Sequence, residues 1–200
     1  LNPTHFEVID NIPNKENVSL LYSSNLTYID KIEEYASSFK FVQINASLDA
    51  VGEYGEQIRK GLNWKKFKKN IETLTKIKNV KLVISPTISL LNVHEIDKIY
   101  CFAESYDLKV EPIVLTGPDY LKVSALPQSI KSEIGWKLKR NIPDLIEQLK
   151  IEHSTHQNFP HSIANILLGD KLRKTNVYDY LCDTMPHFKN ESLKVLQNNE

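Results

Sequence analysis

Residues 42–59 read VQINASLDAVGEYGEQIR. The stretch begins as a buried strand and ends in a polar, glycine-bearing run. The strand finishes on Ser47, Leu48 and Asp49, then runs into Gly52, Glu53, Gly55, Glu56 and Arg59. A loop that only reverses the chain can be shorter and blander, so this one reads as built to hold something. The next segment, NWKKFKKNIETLTKI, is an amphipathic helix with Trp64, Phe67, Ile71 and Leu74 at helical spacing and Asn63 as its cap.

The same alternation continues on both sides. HFEVIDNI predicts a short helix capped by Thr4, and a strand follows over Val18–Tyr22, ending on Ser23, Ser24 and Asn25. YIDKIEEYASSF puts Ile29, Ile32, Tyr35 and Ala36 on one helical face. NVKLVISPTIS is a strand interrupted at Pro86, and NVHEIDKIYCFAESY is a helix with Asn92 as cap and Glu95 completing a capping box. Val93, Ile96, Tyr100 and Ala103 form its buried face, and KVEPIVLTG is a fourth strand. From Leu126-Pro127 the pattern turns helical, with runs around 143–150, 161–173 and 176–184. Strand and helix alternating at steps of roughly 35 residues mean βαβ units and a parallel sheet. Each strand is a short apolar run, as expected of strands covered on both faces. Ligands of such sheets sit at the carboxyl ends of the strands, where Ser23 to Asn25, Ser47 with Asp49, Thr87 with Ser89, and Thr116 lie.

Composition narrows the function. The chain has 200 residues, 41% of them hydrophobic, with 25 Lys plus Arg against 25 Asp plus Glu. A protein that lives on nucleic-acid phosphates carries a positive excess, and none is present. No apolar run approaches the ~18 residues of a membrane span. Cys101 and Cys182 have no CxxC partner, which argues against a disulfide framework or zinc site and for the cytoplasm. The chain starts at Leu1 without Met and without a signal peptide, so it reads as a trimmed chain or a piece of a longer one.

Most catalytic chemistries find little support. Asp49, Glu53 and Glu56 are close in sequence, but a glycosidase pair is disfavoured against a solvated loop. No GxGxxG or GxxxxGK follows a strand, and acids flank the two glycines of DAVGEYGEQ. His153, His156 and His161 read as a polar inter-helix loop rather than metal ligands, and Cys101 and Cys182 as packed core thiols. Lys60, Lys65, Lys66, Lys68 and Lys69 make a solvated helix face.

The run SLDAVGEYGEQIRKGLNWKKFKKNIETL resembles the fourth strand and following helix of radical S-adenosylmethionine enzymes, in the branch with twitch- or SPASM-type extensions. Ser47, Leu48, Asp49, Gly52, Glu53, Ile58, Arg59, Trp64, Phe67, Asn70, Ile71 and Leu74 fall in place, while Ala50 stands where that family usually has Gly. SLLYSSNLT is similar to the family's third strand and its turn, VISPTISLLNVHEI to the fifth, and PIVLTGPDYLKVSALPQSIK to the sixth and its continuation. Leu1-Asn2-Pro3 resembles the residues that follow the family's G-G-E-P sequence. The resemblance implies an α/β fold: a partial (β/α) barrel of about four parallel strands with helices outside over residues 1–125, and a helical extension over 126–200.

It also implies site residues. Ser47 and Asp49 would face the ribose or methionine part of the cofactor, Arg59 its carboxylate, and Asn25 and Asn92 would line the same mouth. A turn role for Asp49 and a surface ion pair for Arg59 stand beside that reading. The family's CxxxCxxC loop, which holds a 4Fe–4S cluster with S-adenosylmethionine on its fourth iron, is absent here. The implied account is the C-terminal part of an iron–sulfur oxidoreductase of unknown substrate, with both cofactors belonging to the full-length parent and neither bound by this chain. The alternative is a non-catalytic α/β ligand- or partner-binding module, a degenerate relative. Loss of two preceding strands would leave 18–22 as an open edge, predicting self-association there or its cover by the C-terminal helices.

Overall fold

Val42, Ile44 and Ala46 are fully buried while Phe41, Gln43 and Asn45 between them are not, and that two-residue period fixes the strand at the centre of the chain. In a computed structural model, which describes residues 3–151 and 158–198, it is β2 (Phe41–Ala46). Before it come α1 (Pro3–Asp10), β1 (Ser19–Ser24) and α2 (Ile32–Ser38). After it come α3 (Gly52–Ile58), α4 (Trp64–Leu74), β3 (Val80–Ile84), β4 (Thr87–Ile88), α5 (Ile96–Glu104), β5 (Lys109–Val110) and β6 (Ile113–Val114). Five helices follow: α6 (Gln128–Lys137), α7 (Pro143–Lys150), α8 (Asn158–Arg173), α9 (Val177–Thr184) and α10 (Pro186–Gln197). The protein is thus α/β with a four-stranded parallel sheet in the order β1-β2-β3-β5.

The short strands β4 and β6 pair in parallel and extend that sheet. Val83 faces Lys109 and Thr87 faces Ile113, so the partner lies 26 residues on in both places (109 − 83, 113 − 87). The register therefore runs through the interruption. Pro86 and Pro112 sit at the break and have no N–H to give a ladder. The backbone still bridges it, with Glu111 N donating to Ile84 O at 2.8 Å and Ile113 N to Pro86 O at 2.9 Å. The fourth strand expected over 109–117 is accordingly two short pieces.

The two faces of the sheet are covered unequally. Leu20, Val42, Ile44, Ala46, Leu82 and Ile84 are buried on one side. On the other, Ser19, Leu21, Ser23 and Lys81 are exposed, and Gln43 Nε2 donates to Asn45 Oδ1 at 3.0 Å. The strand order follows the chain order, and right-handed crossovers between neighbours taken in sequence put their helices on one side. The other face is the more polar but is not bare, since Val83 beside Asn45 is fully buried on it.

Each helix follows from its own pattern. In α4, Phe67, Ile71 and Leu74 are buried, and Asn63 caps it by accepting from Lys66 N at 2.8 Å. Glu56 adds a second cap, its Oε1 accepting from Trp64 N at 2.6 Å. Lys65, Lys66 and Lys69 are solvated as expected. The cap expected of Thr4 involves a side chain outside the described set, as do His153 and His156, and His161 is exposed on α8.

Three sequence expectations are corrected. The glycine-bearing run after Asp49 is not a loop but helix α3. Its glycines serve backbone geometry: Gly52 has φ +67°, and a Cβ on Gly55 would run into the Ala50 carbonyl and crowd Leu62. Cys101 is exposed rather than packed, because it lies across α5 from Ile96, Ile99 and Ala103. The capping box at Asn92 and Glu95 does not form; residues Val93–Glu95 are a 3-10 turn and both side chains are engaged elsewhere.

Among the described residues no helix is long and apolar enough to cross a membrane. The helices after residue 125 pack on one another and back onto the α/β part, α9 against α3 and α8 against the turns at 119–125. The close approach at Gly55 gives a direct test of this packing. Gly55→Ala should lose about 3 kcal/mol in urea unfolding, since backbone rather than a movable side chain blocks the new methyl.

Candidate functional site at the strand ends

The backbone turns away from the sheet in parallel steps. Ser47 N donates to Ser24 O at 2.8 Å, and Ser85 N donates to Ala46 O at 2.8 Å, so the ladder runs one residue past each strand. The chain after β1 then closes on Asn25, whose Oδ1 accepts from Thr27 N at 3.1 Å and Thr27 Oγ1 at 2.8 Å. Leu26 in that turn has φ +54°, and Asn70 of α4 holds it by donating to Leu26 O at 2.6 Å. Asn25 therefore shapes a turn, and Asn70, buried at 6% exposure, pins it.

Asp49 ties the end of β2 to β4. Its Oδ1 accepts from Thr87 N at 2.9 Å, and its Oδ2 accepts from Arg59 Nη1 at 2.6 Å. Asn92 completes the knot from the far side. Its Nδ2 donates to Asp49 O at 2.8 Å and Thr87 O at 2.9 Å, while its Oδ1 accepts from Ser89 N at 2.7 Å. At 2% exposure that carboxamide is wholly committed, to backbone and to the Ser89 hydroxyl. Of the five residues singled out in the sequence, Asp49, Arg59 and Asn92 thus form one network. Ser47 is half-buried beside Ser24, and Asn25 stands apart in its turn.

The Asp49–Arg59 pair is partly sheltered, with side-chain exposures of 18% and 29%. Arg59 carries five N–H donors, and among the described residues its guanidinium bonds only Asp49. The remaining donors can meet a carboxylate or phosphate, although Asp49 already balances the charge. Both alternatives raised by the sequence, a structural pair and a ligand contact, share one side chain.

A second cluster was invisible in the sequence. Glu95, 1% exposed, accepts from Lys98 Nζ at 2.7 Å and from Tyr180 Oη at 2.9 Å. Tyr180 stacks on Tyr54 with ring centroids 3.8 Å apart, and Tyr54 Oη donates to Leu91 O. Burial pushes the Tyr54 phenol well up. His94 lies beside both rings, its Nε2 3.6 Å from Glu95 Oε1 and neither ring nitrogen hydrogen-bonded. Burial pulls its pKa down to about 4, the Glu95 charge opposing in part. Only Lys98, one helical turn on from Glu95, could have hinted at this cluster; Tyr180 comes from 85 residues away.

A cavity of about 240 Å³ opens beside it, lined by His94, Glu95, Asp97, Lys98, Glu133 and Lys137. Its carboxylates are already paired, Glu133 with Lys137 and Asp97 with Arg140. Among the described residues no group of three His, Cys, Asp or Glu side chains is placed to hold a metal ion. The sequence matches no protein-family model and no curated protein.

Two outcomes follow from these contacts. Asn92→Ala strands two carbonyls and one N–H at a buried site and should cost about 3 kcal/mol, read by denaturant unfolding. His94 is neutral in the fold with its pKa lowered from 6.5 to about 4. Above pH 6.5 both folded and unfolded chains are neutral there, and its contribution is intact. As pH falls towards 4 the unfolded chain takes a proton that the fold refuses, and about 3 kcal/mol is lost. His94→Phe should remove that part of the acid sensitivity, and an unchanged stability–pH curve in the variant would contradict it.

Proposed function

We propose that this chain is the later part of a radical S-adenosylmethionine enzyme, carrying family strands three to six of a partial (β/α) barrel, with its substrate unassigned. What supports the reading most is the open parallel sheet laid down in chain order. One face is the more deeply buried, the other is the more polar, with Val83 its buried exception, and Asp49 with Arg59 sits at the strand ends. A doubly wound sheet would cover both faces and reverse its strand order at a switch point. A parallel sheet built in sequence is the order that an arc of a barrel would have.

The iron–sulfur cluster does not fit this chain. Such a cluster takes three thiolates in one loop, and the two cysteines here stand on α5 and α9. S-adenosylmethionine fits in part. Arg59 has donors left for its carboxylate, and Ser47 lies at the same rim. Asn92 has spent its carboxamide, and Asn25 keeps only Nδ2, so both would shape the wall. Bound there, the cofactor would supply the radical chemistry; this chain's part is to position and shelter it. The alternative is a non-catalytic α/β ligand- or partner-binding module.

Anaerobic reconstitution with iron and sulfide separates the two. The 200-residue chain should take up no cluster, and the same chain extended by its upstream coding segment should develop thiolate-to-iron charge-transfer absorbance. In that longer protein Arg59→Ala should weaken S-adenosylmethionine binding about tenfold or more. An extended protein that gains no cluster would overturn the reading.

A further inference from the structure

Of the chain's arginines, Arg59 pairs with Asp49, and Arg140 with Asp97 and Glu104. The third, Arg173 in the last turn of α8, is different. Its side chain forms no ion pair and no hydrogen bond among the described residues. Long side chains on a helix lean towards its N-terminus, over the residue four places back. Here that residue is Gly169, and a Cβ on it would lie 3.7 Å from Arg173 Nη2 and 4.0 Å from Cζ. The guanidinium therefore lies back along α8, beside bare backbone.

Gly169 and Arg173 line a cavity of about 140 Å³ between α8 and the segments that follow the strands. Ile58, Leu91, Leu121, Ile166 and Val177 supply its apolar wall. Ile58 and Leu91 are the chain neighbours of Arg59 and Asn92, so the cavity adjoins the network at the strand ends. Its two sides are tied together. Ser162 Oγ of α8 donates to Tyr120 O at 2.6 Å, and Leu90 N donates to Leu121 O at 2.9 Å. Asp170 is the one acid on the cavity among the described residues, and it is spent on the start of α9. Its oxygens accept from Val177 N at 2.9 Å, Tyr178 N at 2.8 Å and the Thr175 hydroxyl.

We propose that this cavity binds a small organic carboxylate, with its carboxyl group on Arg173 and its apolar body against the aliphatic wall. The guanidinium fork matches a carboxylate through two parallel hydrogen bonds. Volume limits the body, since an apolar cavity of roughly 150 Å³ takes a molecule the size of benzene. Charge limits the head group. One negative charge balances Arg173, whereas a doubly charged phosphate would also meet the field of Asp170, three residues away on the same helix. Tyr120 lines the cavity too, and its Oη has no hydrogen-bond partner among the described residues, which leaves a second donor. The site stands on this cavity alone and needs neither a cluster nor S-adenosylmethionine.

The test is a benzoate titration of the isotopically labelled 200-residue chain, followed by amide chemical shifts. The shifts should saturate and centre on Leu121, Ile166 and Gly169. Arg173→Gln removes the charge at an exposed position and should weaken benzoate binding about tenfold or more, with the circular dichroism unchanged. Benzamide, the same body without the charge, should bind the wild-type chain more weakly by a similar factor. Lys171→Gln removes an equal charge from the same helix outside the cavity and should leave binding as it was. A wild-type chain that binds no benzoate overturns the proposal. So does an Arg173→Gln chain that binds as tightly, or a set of shifts centred on Arg59. Equal weakening by the Lys171 and Arg173 variants overturns it as well, because only the general charge of α8 is then being read. Each of these failures leaves the cluster experiment standing, since that experiment reads upstream thiolates and not this cavity.

Discussion

One carboxamide holds the functional end of this protein together. Asn92 reaches the backbone on both sides of a gap, Asp49 O from the end of β2 and Thr87 O in β4, and it closes its own turn through Ser89 N. β2 ends at Ala46, paired with Ile84, so the side of Thr87 that faces away from β6 has no strand to meet it. Buried backbone groups left without partners are costly, so a side chain must supply what the ladder cannot. With the tie in place, Asp49 is presented with one oxygen on Thr87 N and the other on Arg59. The geometry of the rim depends on Asn92, although Asn92 offers nothing to a ligand.

The helical tail is coupled to the same region. Tyr180 of α9 lies flat on Tyr54 of α3 and bonds Glu95 at the entrance to α5. Glu95 is almost fully buried, and Lys98 and a phenol meet its carboxyl group there. The residues after 125 are therefore part of what supports the strand ends. Helix α3 begins just past Asp49 and ends just before Arg59, so pressure from α9 on Tyr54 bears on the segment that separates the ion pair.

Much of this was legible from residue patterns. The break at Pro86, the helix from Trp64 with Asn63 as cap, and helical runs near 143–150, 161–173 and 176–184 all follow from local chemistry. The errors came where distant residues decide. GEYGEQI looked like a loop because glycine disfavours helices, yet Gly55 is required by the Ala50 carbonyl, which only the fold brings near. Glu95 matched a capping box by spacing, but Tyr180 and Lys98 compete for it. Cys101 sat among apolar neighbours in sequence and on the outer face in space. For the site, the family resemblance implied one mouth for Ser47, Asp49, Arg59, Asn25 and Asn92, and of these Asp49, Arg59 and Asn92 meet. It could not tell that Asn92 would be consumed by backbone.

Function rests on joining this geometry to the resemblance around SLDAVGEYGEQIR. The sheet is laid down in chain order, and among the described residues its first strand is paired on one side, with β2. Earlier strands of a barrel would attach on its other side and bring the thiolates this chain lacks. The most direct measurement is the coding sequence immediately upstream of Leu1. The account predicts a CxxxCxxC motif followed by G-G-E-P running into Leu1. A stop codon and a start Met directly upstream would contradict it, and would leave Asp49 and Arg59 as parts of a binding module.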